Sequence, residues 1–168
     1  AFDYMIKPVE PSRLASGVRR AAEMRALSRR YGALRERVLS ENLEHPEAFA
    51  AIATVSRRMR AVLALADALA ATDETVLITG ETGTGKELLA EAVHRGSGRG
   101  GPLVTVNAAG LDDTMFADTL FGHHKGAFTG AEESRPGLVQ RADEGTLFLD
   151  EIGDLSPASQ VKLLRLVE

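Results

Sequence analysis

One stretch limits the folds open to this chain more than any other: Gly80-Glu81-Thr82-Gly83-Thr84-Gly85-Lys86-Glu87. It follows Thr75-Val76-Leu77-Ile78-Thr79, a β-branched apolar run that reads as a buried parallel strand. After it come Leu88-Leu89-Ala90-Glu91-Ala92-Val93, which are helix formers throughout. Strand, glycine loop ending in Gly-Lys, then helix is the order that a phosphate-binding loop requires. Glycines let the backbone curl so that successive N–H groups face one anion. The helix N-terminus adds partial positive charge, and Lys86 brings a full charge to β- and γ-phosphates. Glu87 stands where Ser or Thr would normally touch a magnesium ion. A glycine turn that merely joined strand to helix would leave Lys86 as coincidence, and that reading is rejected.

The bulk numbers allow one domain or a domain with an attachment, since the chain has 168 residues. Cysteine is absent, which excludes disulfides and thiolate-ligated metal and suits a cytoplasmic setting. Charge is uneven. Residues 1–60 carry 12 basic and 7 acidic side chains, and residues 61–168 carry 8 and 17. The basic part reads as a solvated helix surface rather than a nucleic-acid patch.

Taken in order, the chain opens on Ala1-Phe2-Asp3-Tyr4-Met5-Ile6-Lys7-Pro8, the end of a buried strand closed by proline. This run resembles the last strand of response-regulator receiver domains. The resemblance implies that Lys7 is their switch lysine, with the phosphorylated aspartate upstream of residue 1, so that the chain is a fragment. From Pro11 to about Leu43 one long helix is expected. Residues 1–22 are then a receiver remnant and 23–47 a helical linker. Met24, Leu27, Tyr31, Leu34 and Val38 alternate spacings of three and four, either a short coiled-coil seam or one face of a helix lying on its own core. Glu44-His45-Pro46-Glu47 breaks the helix.

Residues 48–168 make the main domain. A second helical region spans 48–70, a strand runs from Pro102 to Val106 and ends in Asn107, and Phe116 to Leu120 is helical. Thr146-Leu147-Phe148-Leu149 is a third buried strand, closed by Asp150-Glu151, and a last helix starts near Ser156-Pro157. A strand that ends in two acids behind a Gly-Lys loop has a specific use. Asp150 would hold Mg²⁺ beside the nucleotide phosphates, and Glu151 would orient and deprotonate the attacking water. His123 and His124 have no carboxylate or third histidine at ligand spacing, which argues against a transition-metal site.

Gly126-Ala127-Phe128-Thr129-Gly130-Ala131 is similar to the signature loop of the bacterial sigma-54-dependent transcription activators, members of the AAA+ ATPases. Residues 80–87 and 146–153 also look like that family's two nucleotide motifs, including its usual Glu after Lys. The resemblance implies an α/β, three-layer AAA+ core, ATP hydrolysis in a ring, and Gly126–Ala131 touching sigma-54 in stalled RNA polymerase. It makes Asn107 the residue that restrains Glu151 until sigma-54 engages. It also implies an upstream histidine kinase and DNA contact only through a further C-terminal module; a dimer through the linker is compatible with it. No membrane partner is expected, since no apolar run approaches the roughly 18 residues that span a bilayer. Ala53-Thr54-Val55-Ser56 and Thr119 depart from the family pattern, near the adenine pocket and the loop base respectively. By the same resemblance the run Val76–Thr79 lies between the fourth and fifth strands of the sheet, both beyond residue 168. Purified residues 1–168 are therefore expected to aggregate or to melt without a cooperative transition, and to show no turnover. Two other readings remain: a nucleotide-gated binding protein without turnover, and a P-loop kinase of small metabolites.

Overall fold

The computed structural model describes residues 11–40, 42–126 and 133–167. Lys7 with the receiver-like strand, and Ala127 to Ala131 of the signature loop, lie outside the described residues. The chain falls into two compact units. One takes in the chain up to Leu43 together with Thr54–Ala68, and the other takes in Glu44–Ala53 and the chain from Leu69 onward.

In the first unit, α1 is an unbroken 30-residue helix, Pro11–Ser40, with proline at the helix start, where its missing N–H goes unneeded. Met24, Leu27 and Tyr31 are 54%, 63% and 68% exposed. These three side chains of the seam cover no core among the described residues, while Leu34 is half-buried. The next helix, α2, runs Arg57–Ala70, not from residue 48 as expected. It starts where Ser56 offers its hydroxyl to the Met59 N–H (3.4 Å), an N-cap that overrides the apolar pattern upstream. Residues 45–52 instead close successive three-residue turns, such as Ala48 N–H to His45 O (3.0 Å) and Ile52 N–H to Phe49 O (2.9 Å).

The second unit is α/β. Its sheet pairs β1, Leu103–Asn107, with β4, Thr146–Asp150, in parallel, and the register puts Asn107 opposite Asp150. Helix α3 (Lys86–Gly96) precedes β1. Between the two strands in sequence come α4 (Asp113–Phe121), the antiparallel pair β2 (Gly122–His123) and β3 (Arg135–Pro136), and α5 (Leu138–Arg141). A 3₁₀ turn, Ile152–Asp154, and α6, Pro157–Val167, complete the order. The core gathers Ala108, Phe116, Leu120 and Leu155, packed against Val106, Leu147, Leu149 and Leu163. α4 begins at Asp113 because Asp112 caps it, its carboxylate accepting from the N–H groups of Thr114 (2.9 Å) and Met115 (2.8 Å).

A polar clasp ties α4 to α6. The Asp113 carboxylate accepts from the hydroxyls of Ser156 and Ser159, and Lys162 Nζ donates to the Asp113 carbonyl (2.6 Å). The Ser156 bond, then the Ser159 bond, hold the Asp113 carboxyl below its ordinary range, with the Lys162 charge adding a smaller pull.

One expected element is absent. Thr75–Thr79 forms no strand among the described residues, and Val76 and Leu77 are 36% and 69% exposed. A strand exists only where a neighbour supplies a ladder, and no described segment does so here: the described ladders are β1 with β4 and β2 with β3. The sheet therefore has two described strands where three were expected. No helix among the described residues is long and apolar enough to cross a membrane.

Candidate nucleotide site

The glycine loop is built by backbone conformations that side chains resist. Gly83 and Gly85 sit at φ 78° and 86°, the left-handed region, and Gly85 is the N-cap of α3. The loop closes on itself through Thr84, whose hydroxyl (2.8 Å) and N–H (3.4 Å) both donate to the Glu81 carbonyl. Lys86 Nζ donates to the carbonyls of Gly80 (3.2 Å) and Glu81 (3.0 Å), which folds the ammonium back over the loop. Glu87 is exposed in the first turn of α3, where the helix dipole favours a carboxylate.

The parallel register of β1 and β4 delivers the second half of the site. Both strands end together, so Asn107 and Asp150 stand side by side at their carboxyl ends. Asp150 accepts the Glu151 N–H through Oδ1 (2.9 Å). Glu151 itself is left-handed, φ 54° and ψ 36°, a conformation that strains a residue with a β-carbon and is found disproportionately at functional positions. Its carbonyl accepts from Asp154 N–H (3.1 Å), which starts the 3₁₀ turn.

Gly80, Thr82 and Lys86 of the loop line one cavity of about 1100 Å³ together with Asp150, Glu151 and Asp154. The fold thus brings together residues that lie far apart in sequence. Glu81 contributes its carbonyl to Lys86, and Gly83, Thr84, Gly85 and Glu87 shape the turn; none of these five lines the cavity.

Asn107 is also outside the lining: its Oδ1 accepts from Ala109 N–H (2.7 Å), and no hydrogen bond joins it to Glu151. Gly126 lies in a turn after β2 at φ 83°, the one described residue of the Gly126–Ala131 loop. At that loop's base His123 Nδ1 meets Asp118 Oδ1 at 2.5 Å. Sequence spacing offers His123 no carboxylate, and the passage from α4 into β2 supplies one. No group of three or more metal-ligating side chains forms among the described residues. Asp154 is a further cavity residue that sequence reasoning missed, because only the 3₁₀ turn brings it back to the site.

The residues present fit a magnesium–nucleoside triphosphate. A curled loop with an ammonium suits phosphate, and Asp150 supplies the hard carboxylate oxygen that magnesium prefers.

Comparisons with known proteins place this chain in a family. The profile of the sigma-54 interaction domain matches residues 52–168. The transcriptional regulatory protein ZraR of Klebsiella oxytoca is 45% identical over 169 residues, covering 100% of this chain and 36% of that protein. The anaerobic nitric oxide reductase transcription regulator NorR of Klebsiella pneumoniae (strain 342) is 59% identical over 103 residues, 61% of this chain and 20% of that protein. Among solved structures, NtrX from Brucella abortus in complex with ADP superposes with a TM-score of 0.57 at 34% identity, covering 99% of this chain and 35% of NtrX. The chain thus spans about a third of the length of the relatives it matches along its whole length. With the profile covering well over half of its residues, the chain belongs to the sigma-54 interaction domain family.

Proposed function

We propose that the protein containing this chain is an AAA+ ATPase that activates sigma-54 RNA polymerase under phosphorelay control. The observation that carries this reading is the cavity shared by Lys86, Asp150 and Glu151. Family membership and the ADP-bound NtrX relative support it.

In this reading the curled loop binds the phosphates through its N–H groups, and Lys86 leaves the carbonyls of Gly80 and Glu81 to neutralise phosphate charge. Asp150 holds magnesium, which supplies charge neutralisation at the reacting phosphate. Glu151 orients the attacking water and accepts its proton, releasing ADP and phosphate. Asn107, the register partner of Asp150, restrains Glu151 until sigma-54 engages, which in this reading requires it to release the Ala109 N–H. Gly126–Ala131 contacts sigma-54, and Lys7 answers phosphorylation of a receiver domain by a sensor kinase. The working assembly is a ring in the cytoplasm, with DNA bound by a separate module.

The test uses the full-length protein. Lys86→Ala should abolish ATP binding in a fluorescent-nucleotide titration. Glu151→Gln should bind ATP and lose turnover by about 10²- to 10⁴-fold, the usual contribution of a general base. Thr129→Ala should keep ATPase activity and lose open-complex formation. Normal turnover by Glu151→Gln would remove the assigned base, and full promoter opening by Thr129→Ala would remove the assigned polymerase contact.

A further inference from the structure

The segments that carry the glycine loop and the acidic pair are joined at their far ends by one side chain. Arg99 follows α3 and spreads its guanidinium over two turns. Nη1 donates to the Gly145 carbonyl (3.3 Å), directly before β4, and Nη2 donates to the Thr72 carbonyl (3.1 Å), in the turn that leads into residues 75–79. Nη2 also meets Asp73 Oδ1 at 2.7 Å. Thr72, Asp73, Arg99 and Gly145 line the same cavity as Lys86 and Asp150.

We infer that Arg99 is a positioning residue for the ATPase proposed above. It holds the turn before the glycine loop at a fixed distance from the turn before β4, and so sets Lys86 against Asp150 and Glu151. The inference rests on that proposed function.

Three observations favour this role. Residues 75–79 have no ladder among the described residues, and the Arg99 bonds tie the turn before them to the turn before β4. The Gly145 side of the clamp is rigid. A β-carbon at Gly145 would come within 2.1 Å of the Pro102 carbonyl oxygen, and one at Gly101 within 2.4 Å of the Asp143 carbonyl oxygen. The two backbones therefore touch, and Thr146 N–H to Pro102 O (3.0 Å) and Gly101 N–H to Glu144 O (3.0 Å) fasten them. Finally, a planar guanidinium can donate in two directions from one fixed fork, which a lysine ammonium cannot reproduce.

The carbonyls, not the carboxylate, carry the clamp. The Asp73 side chain is fully exposed, at 103%, and an ion pair to so solvated a group contributes little. Arg99→Ala and Asp73→Asn should therefore differ.

The experiment compares wild type, Arg99→Ala, Arg99→Lys and Asp73→Asn in the full-length protein. Three readouts are taken: steady-state ATPase, fluorescent-nucleotide affinity, and amide hydrogen exchange without nucleotide. Arg99→Ala is expected to lower kcat about ten- to a hundredfold, the scale of a small misplacement of reacting groups, while KM moves less than about threefold. Exchange should rise in residues 72–80 and 143–147 and stay unchanged in α4 and α6. Arg99→Lys should resemble Arg99→Ala, Asp73→Asn should resemble wild type, and methylguanidinium should restore part of the Arg99→Ala turnover. Unchanged kcat, or exchange unchanged in both turns, overturns the inference, and so does exchange raised equally across α4 and α6, which means general unfolding. A wild type that binds nucleotide without turnover overturns the ATPase reading instead, and the exchange pattern then decides by itself whether Arg99 holds the two turns.

Discussion

Two apolar runs lead into the candidate site, and they differ in everything but sequence character. Thr75-Val76-Leu77-Ile78-Thr79 delivers the glycine loop, and Thr146-Leu147-Phe148-Leu149-Asp150 delivers the acidic pair. The second is a laddered strand, half-buried along its whole length. The first has no ladder among the described residues, and Leu77 stands 69% exposed. Both runs line the same cavity without pairing to each other. Apolar, β-branched composition marks a segment as fit for a sheet, but the neighbour makes the strand. The sheet order implied by the family resemblance seats a further strand beside residues 76–79.

The comparison breaks most directly by hydrogen exchange on residues 1–168, diluted below the concentration at which they aggregate. Amides of 147–150 should be protected at least about a hundredfold more than those of 76–79, because only the former open with their unit. Equal protection would show that the first run is paired after all.

Side-chain truncation gives the next largest contrast. Phe116, 1% exposed, packs in the core that covers β4, and Phe116→Ala should cost about 3–5 kcal/mol. Leu77→Ala should cost less than about 0.5 kcal/mol, the ordinary range for a surface position. Urea unfolding of both variants measures the difference, and similar losses would mean that Leu77 is covered in solution.

Acid should also act on the β4 side first. The Asp113 carboxyl is lowered in the folded chain by the Ser156 and Ser159 hydroxyls, from an ordinary value of 3.8. The folded state therefore binds that proton less readily than the unfolded state does. Its stabilisation is complete above the unfolded pKa and is lost as pH falls through the folded one. Asp113→Asn should flatten the acid limb of stability below about pH 4, measured by thermal melts against pH. An unchanged acid limb would remove the clasp as its source.

The smallest effect concerns the two ends of β4. Glu144 and Glu151 both sit at φ 54°, and glycine relieves that strain while loosening the unfolded chain. Glu144→Gly and Glu151→Gly should each raise stability by no more than about 1 kcal/mol. Only Glu151→Gly should also abolish turnover in the full-length protein. Loss of turnover in both variants would argue that β4's position, rather than the Glu151 carboxylate, limits the reaction.

Much of the site is legible in the sequence because its chemistry is local. A loop of Gly80, Gly83 and Gly85 ending in Lys86 needs no distant partner to curl, and the structure gives Gly83 and Gly85 the left-handed backbone that glycine permits. The strand before Asp150 and the helix after Ser156 are equally readable, since apolar runs and caps act within a few residues. The start of α2 escapes the apolar pattern because the Ser56 cap, a single hydroxyl, outweighs the spacing upstream of it.

What the sequence determined by itself is therefore the set of groups: an ammonium on a glycine loop, two acids at a strand end, and an asparagine closing another. Only the tertiary structure decided which of them meet. It placed Lys86 and Asp150 on one cavity, turned Asp154 into it, left Asn107 to its own turn, and gave Arg99 two carbonyls from separate segments. It also paired residues 75–79 with no strand among the described residues. The physical reason is range: loops and caps are settled by neighbours along the chain, whereas ladders and shared cavities need a second segment whose position no local pattern encodes.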